Sequence, residues 1–117
     1  MRVERELMRG AGPVAVLQLL ERREMYGYEL VEALSKRSDG VLAMGHSTLY
    51  PLLYSLEAKG LVASEEREAD SGRVRRYYRV TDAGRKWLRA QRRQWRALGR
   101  AMLGLGILEP LTDRGKG

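Results

Sequence analysis

The chain lacks cysteine altogether and has a single histidine, His46, among its 117 residues. Disulfides and thiolate metal sites are therefore excluded, a lone imidazole cannot build a His-rich metal site, and the redox compartment is left open. Long apolar runs are missing as well: nothing approaches the roughly 18 consecutive apolar residues of a membrane span. The stretch Ala11 to Leu20 runs directly into Glu21-Arg22-Arg23-Glu24, with no small-residue cleavage site after it, and reads as a core helix and not a signal peptide. The expectation is a soluble, cytoplasmic protein with no membrane partner. Aspartate is scarce, with four residues scattered along the chain. There is no glycine-rich phosphate loop and no nucleophile paired with a base, and most glutamates stand beside Arg or Lys as ordinary surface pairs. An enzyme is not expected, and the sequence calls for no cofactor and no metal.

What is abundant is positive charge. Twenty-two Lys plus Arg face 15 Asp plus Glu, a net +7, with a pI near 10.1. That balance favours a polyanionic partner, and arginine in particular binds phosphate and guanine bidentately. The arginine bias of a GC-rich genome would give the same composition, so charge alone makes nucleic acid only a slight favourite. The length supports one small core.

The segment from Ser47 to Val62 carries the most information. Leu49, Leu52, Leu53 and Leu56 follow the i, i+3, i+4, i+7 spacing of one buried helical stripe. Ser47, Thr48, Tyr50, Tyr54 and Ser55 occupy the other face, which has hydroxyls and no acid. Such a helix can approach a polyanion without repelling it. Pro51 restricts it, being tolerable only within about the first turn, so the helix is expected to start near His46 to Thr48. Gly60 closes it.

Around it the chain reads as follows. A short helix covers Glu4 to Arg9. Gly12-Pro13 opens a second helix through about Arg23 with Val14, Leu17 and Leu20 inward. A third starts at Tyr26-Gly27-Tyr28 and stops at Asp39-Gly40. Val62 to Arg67 and Val74 to Val80 flank the turn signal Asp70-Ser71-Gly72 and form a β-hairpin. Thr81-Asp82 caps a final helix to about Leu103. The fold class is mainly α with a small β-hairpin: a winged helix-turn-helix over residues 1–80, a C-terminal dimerisation helix over 81–106 and a flexible tail over 107–117.

In a helix-turn-helix the N-terminal residues of the second helix meet base edges in the major groove. Here these are Ser47, Thr48, Tyr50 and Pro51, with hydroxyls for bases or phosphates and an apolar surface for a thymine methyl. Without Arg, Asn or Gln on this face, sequence preference leans on phosphate positioning and DNA shape. Half-buried packing is the competing role for Tyr50 and Tyr54. On the hairpin, Arg73, Arg75, Arg76 and Arg79 suit phosphates or a narrow minor groove. Glu65, Glu66 and Glu68 on the opposing strand compete for them through cross-strand pairs; Arg73, beside the turn glycine, is the least absorbed and Arg79 the most structural. His46, at the helix entrance, is a phosphate contact or a capping or packing residue.

The final helix repeats Leu88, Gln91, Trp95, Leu98 and Met102 in steps of three and four, a heptad stripe with one polar member that helps set register. The stripe is too apolar to leave in water, so a second copy of the chain is expected to cover it; folding back on its own domain is the competing outcome. A two-fold protein suits a pseudo-palindromic DNA site.

Three motifs carry a family resemblance: Tyr26-Gly27-Tyr28-Glu29-Leu30, then Ser47-Thr48-Leu49-Tyr50-Pro51-Leu52-Leu53 with Leu56-Glu57 and Gly60-Leu61-Val62, then Arg76-Tyr77-Tyr78-Arg79-Val80-Thr81 with Gly84-Arg85. In this order and spacing, from about Glu6 to Met102, the chain resembles the PadR family of bacterial transcriptional regulators, in its compact branch with one C-terminal helix. Tyr26 stands where a histidine is frequent. The resemblance implies a homodimeric winged-helix repressor that contacts operator DNA through Ser47, Thr48, Tyr50, Tyr54, Arg73 and Arg75, with a phosphate contact from Tyr28. It also implies, for some members, release of DNA by phenolic or other planar apolar effectors near the dimer interface, where Trp95 is placed to stack on such a ligand or to serve as plain core. Two other classes compete: a small-molecule sensor that has lost DNA binding, and a protein-interaction module built on the winged helix.

Overall fold

A computed structural model describes residues 1–110. Helix α1 (Arg5–Arg22) leads into a two-residue strand β1 (Met25–Tyr26) and helix α2 (Gly27–Arg37); helix α3 (His46–Ala58), strands β2 (Val62–Glu68) and β3 (Val74–Val80) and helix α4 (Asp82–Gly104) follow. The sheet is antiparallel in the order β1-β3-β2, with Val62 opposite Val80, Glu66 opposite Arg76, and Met25 opposite Tyr78. The fold is mainly α with a small β-hairpin, to which β1 adds a third strand that two residues of sequence cannot announce.

The core gathers Val16, Leu17 and Leu20 of α1, Leu30 and Leu34 of α2, Leu49, Leu53 and Leu56 of α3, Tyr78 and Val80 of β3, and Leu88 of α4. The expected break at Gly12-Pro13 is absent: α1 runs continuously through Pro13. Proline inside a helix forfeits one hydrogen bond at a cost of about 3 kcal/mol. Tertiary packing offsets it, because Gly12 is buried where an added Cβ would lie 3.5 Å from Met44 and 3.6 Å from Leu52. The start of α1 is also tied down by the Val3 amide, which donates to the Val41 carbonyl at 3.0 Å.

α3 begins at His46, inside the expected window, yet Pro51 sits in its second turn and not its first. The missing N–H leaves the Ser47 carbonyl without its helical donor, and Ser47 is exposed, so water can supply one. Between α2 and α3 the Ser38 hydroxyl donates to the Leu34 carbonyl (2.5 Å) and accepts from the Leu42 amide (2.9 Å). Asp39 and Gly40, both at positive φ, turn the chain there. Gly60, at φ +77°, closes α3.

α4 starts inside the core and leaves it. Thr81 caps it by accepting from the Gly84 amide at 3.0 Å. Gly84 and Leu88 are buried, whereas everything from Arg93 to Leu98 is exposed. Of the tail expected over 107–117, Ile107 to Pro110 are described and exposed; residues 111–117 lie outside the described residues.

Candidate nucleic-acid interface

The outer face of α3 presents Ser47, Thr48, Tyr54 and Ser55 to solvent, together with Pro51. Its first turn contains no acidic residue. Tyr54 is 61% exposed and therefore not a packing residue. Tyr50 differs. It is half-buried, with its ring 5.6 Å from His46 and 6.3 Å from Tyr54, and its hydroxyl reaches the N-terminus of α2 at Gly27. A Cβ on Gly27 would lie 2.2 Å from the Tyr50 oxygen and 2.8 Å from the adjoining ring carbon. Two sequence motifs thus meet in one contact: the glycine of one is the seat for the tyrosine of the other, and together they set the angle at which α3 leaves α2. Gly27→Ala is expected to cost about 1–3 kcal/mol through overpacking. In a double-mutant cycle with Tyr50→Ala the combined loss should fall well short of additive; additive losses would show that the two residues do not communicate.

Tyr28, the next residue on α2, is exposed and donates to a Glu32 carboxylate oxygen at 3.1 Å. That bond to a carboxylate pushes the phenol above its ordinary pKa, so it remains a donor.

The hairpin sorts its arginines by face. Arg76 donates to the Ser64 hydroxyl at 3.0 Å and pairs with Glu66 at 3.2 Å, while Ser64 in turn donates to Glu57 of α3. Arg79 lies 3.8 Å from Glu65. On the outer face, which Arg79 shares, Arg75 covers the Tyr26 ring and Arg67 covers the Tyr77 ring, each at 4.4 Å, and the two rings meet edge to face at 5.5 Å. This ladder fastens the wing to β1. Arg73 follows Gly72 (φ +86°) in the turn, is exposed and has no acidic partner among the described residues.

Arg67 also pairs with Glu24 at 2.6 Å, which holds that carboxyl below its ordinary pKa. A depressed carboxylate stabilises the fold above its ordinary pKa, and the contribution is lost as pH falls through the lowered value. Wild type is therefore expected to lose more thermal stability than Glu24→Gln between pH 6 and pH 3. Equal losses in melting experiments would contradict this. The pair is partly exposed, so the difference is small.

Residues 16–90 match the PadR-like family of transcriptional regulators. The chain belongs to this family. It is 42% identical over 100 residues to a transcriptional regulator of Mycobacterium tuberculosis, covering 86% of this chain and 90% of the relative. The crystal structure of a PadR family transcriptional regulator from Eggerthella lenta superposes with a TM-score of 0.74 at 41% identity, covering 86% of this chain and 85% of that one. A transcriptional regulator from Clostridium thermocellum gives 0.75 at 27% identity, over 83% and 94%. The chain is thus a transcriptional regulator and not an enzyme. Among the described residues of this PadR-like regulator, no group of three His, Asp or Glu side chains could hold a metal, and no helix is long and apolar enough to cross a membrane.

The stripe on α4 divides. Leu88 has no exposed surface and packs in the chain's own core, so it cannot serve a dimer interface; the heptad register is the same whichever partner covers it. Trp95 at 41% and Leu98 at 44% stay exposed, with Gln91 and Met102 half-buried beside them. Three features of this surface escaped the sequence reading: the Gly27–Tyr50 contact, the arginine–tyrosine ladder and the distribution of charge along α4. Only the last had a signal in the sequence, an acid-free run from Ala83 to Leu108.

Proposed function

We propose that this PadR-like regulator is a cytoplasmic, homodimeric repressor that binds a pseudo-palindromic operator. The first turns of α3 enter the major groove, where Ser47, Thr48 and Tyr54 meet bases or phosphates and Pro51 offers apolar contact. Tyr50 holds the helix at its angle and lends its ring edge to the same face. The wing brings Arg73 to the phosphates, with Arg75 and Arg76 supplying charge from positions braced by Tyr26 and by Ser64 and Glu66. Tyr28 adds a phosphate contact from α2 by turning its one hydroxyl proton from Glu32 to the phosphate. The observation that supports this most is the pairing of an acid-free, exposed α3 face with an arginine in the wing turn that no acid engages among the described residues.

In the dimer, Gln91, Trp95, Leu98 and Met102 of two copies pack together and space the two recognition helices about one turn of DNA apart, ~34 Å. A planar apolar effector stacked on Trp95 favours a different angle between the two helices and lowers DNA affinity by its differential binding energy. The experiment is selection of bound fragments from the host genome followed by gel shifts and challenge with phenolic compounds. Nanomolar retention of particular fragments, released by one such compound, is expected. Equal retention of all fragments would remove the operator, and no release by any compound would remove the effector.

A further inference from the structure

The positive charge of this chain is in an unexpected place. Residues 1–81, which include α3 and the wing, hold 13 Lys plus Arg against 12 Asp plus Glu, a net +1. Residues 82–104, the whole of α4, hold seven against one, a net +6. The remaining residues cancel, two against two. Nearly all the excess charge of a DNA-binding chain thus lies outside its winged helix.

That charge is also ordered. At 3.6 residues per turn the seven basic side chains of α4 fall within roughly 120° of arc, opposite the stripe that carries Trp95, Leu98 and Met102. Two of the seven are engaged. Arg85 lies 3.4 Å from Asp82, and Arg92 donates to Gln18 at 3.0 Å and pairs with Glu21 of α1. Lys86, Arg89, Arg93, Arg96 and Arg100 are exposed and have no acidic partner among the described residues. Glu109 shares a shallow groove with Arg96 and Arg100 but forms an ion pair with neither. Like charges stacked at i, i+4, i+7 and i+11 repel along an exposed helix and cost helical stability. A bound polyanion removes that cost.

We propose that the basic face of α4 is a second DNA-contact surface, which grips the phosphate backbone of duplex outside the stretch held by α3 and the wing. Arg89 to Arg100 span ~16.5 Å of helix axis, facing about five phosphates of one strand at 3.4 Å each. The inference rests on the reading of α3 and the wing as the primary DNA surface. Charge complementarity alone would also fit an anionic bilayer. A helix lying in a bilayer buries its apolar face there, and in the dimer proposed above that face is covered by the second copy of the chain, which leaves the arginines as the available side. A seam on one side and a phosphate track on the other use the whole circumference of the helix.

The test is the affinity of the full chain for a mixed-sequence 60-bp duplex between 50 and 200 mM salt. Each phosphate contact adds about 0.9 to the slope of log affinity against log salt. The quadruple variant Arg89→Gln, Arg93→Gln, Arg96→Gln, Arg100→Gln is expected to lower that slope by about 3.6 per engaged α4, which shrinks the salt-induced loss of affinity by about 150-fold. The matching Arg→Lys variant, with its charge intact, is expected to keep the wild-type slope. An unchanged slope in the Gln variant, or the same drop in the Lys variant, would overturn the proposal. So would vesicles of phosphatidylcholine with phosphatidylserine that bind wild type but not the Gln variant while the duplex slope is unaltered. Wild type that binds no duplex would remove the primary surface as well, whereas wild type that binds alongside an indifferent Gln variant removes the α4 surface alone.

Discussion

Gly84→Ala is expected to destabilise the chain by about 3 kcal/mol, at the upper end of what overpacking costs. A Cβ at this position would lie 2.1 Å from the Leu61 carbonyl oxygen and 2.7 Å from a Val80 methyl. The nearest obstacle is backbone, so no side-chain rotation relieves it. Nor can the backbone retreat cheaply. The same Leu61 carbonyl accepts from the Thr81 amide at 3.1 Å, the Thr81 hydroxyl donates to the Gly60 carbonyl at 2.6 Å, and the Gly84 amide donates back to that hydroxyl at 3.0 Å. Moving α4 outward breaks this joint as a unit. For a chain of this size the melting temperature should fall by about 10 °C or more, and the urea midpoint should drop with no change in slope. A shift of only a degree or two would show that the approach of α4 to β2 is looser than its geometry implies. The consequence reaches function, because this joint aims α4 and thereby sets the direction in which its apolar stripe and its arginines point.

Trp95→Glu is the second large effect and has the opposite character. The ring is 41% exposed and stands well along α4 from Leu88, the last fully buried residue of the chain's core, so the fold of one subunit should be retained. What should be lost is association: a carboxylate in an apolar seam goes unpaired against its own copy. Sedimentation at micromolar concentration is expected to show a dimer for wild type and a monomer for the variant. DNA affinity should fall by about 10²–10⁴, the gain ordinarily provided by linking two half-site contacts. A variant that stays dimeric would take Trp95 out of the seam and the effector proposal with it.

Much of this molecule could be read from local signals. Gly60, Thr81 and the Asp70-Ser71-Gly72 turn each determine a boundary through the residues at that boundary, and the C-terminal end of α3, the start of α4 and the hairpin turn followed from them. The parts that escaped depend on contacts distant in sequence. Pro13 looked like a helix start because proline favours one, and only the packing of Gly12 on Met44 and Leu52 explains a helix that continues through it. β1 exists because β3 is beside it. Tyr50 presents the same hydroxyl and ring in a sequence whether it faces solvent or Gly27. Leu88 shares its heptad with Trp95, and periodicity cannot say that one faces the chain's own core and the other faces outward. On the wing, charge pairing between facing strands was foreseeable, as Arg76 with Glu66 and Arg79 with Glu65 illustrate. The cover that Arg75 finds on Tyr26 was not.

The central claim is that α3 and the wing turn form a phosphate-engaging DNA surface. It is tested most directly by the salt dependence of affinity for a genome-selected fragment, with wild type and Arg73→Ala side by side. Wild type should lose about 10³-fold or more between 50 and 200 mM salt, as several phosphate contacts per dimer require, and Arg73→Ala should bind more weakly with a slope shallower by about one per wing. Binding that is indifferent to salt, or an Arg73→Ala variant that matches wild type in affinity and slope, would contradict the account and favour a winged helix that docks a protein instead.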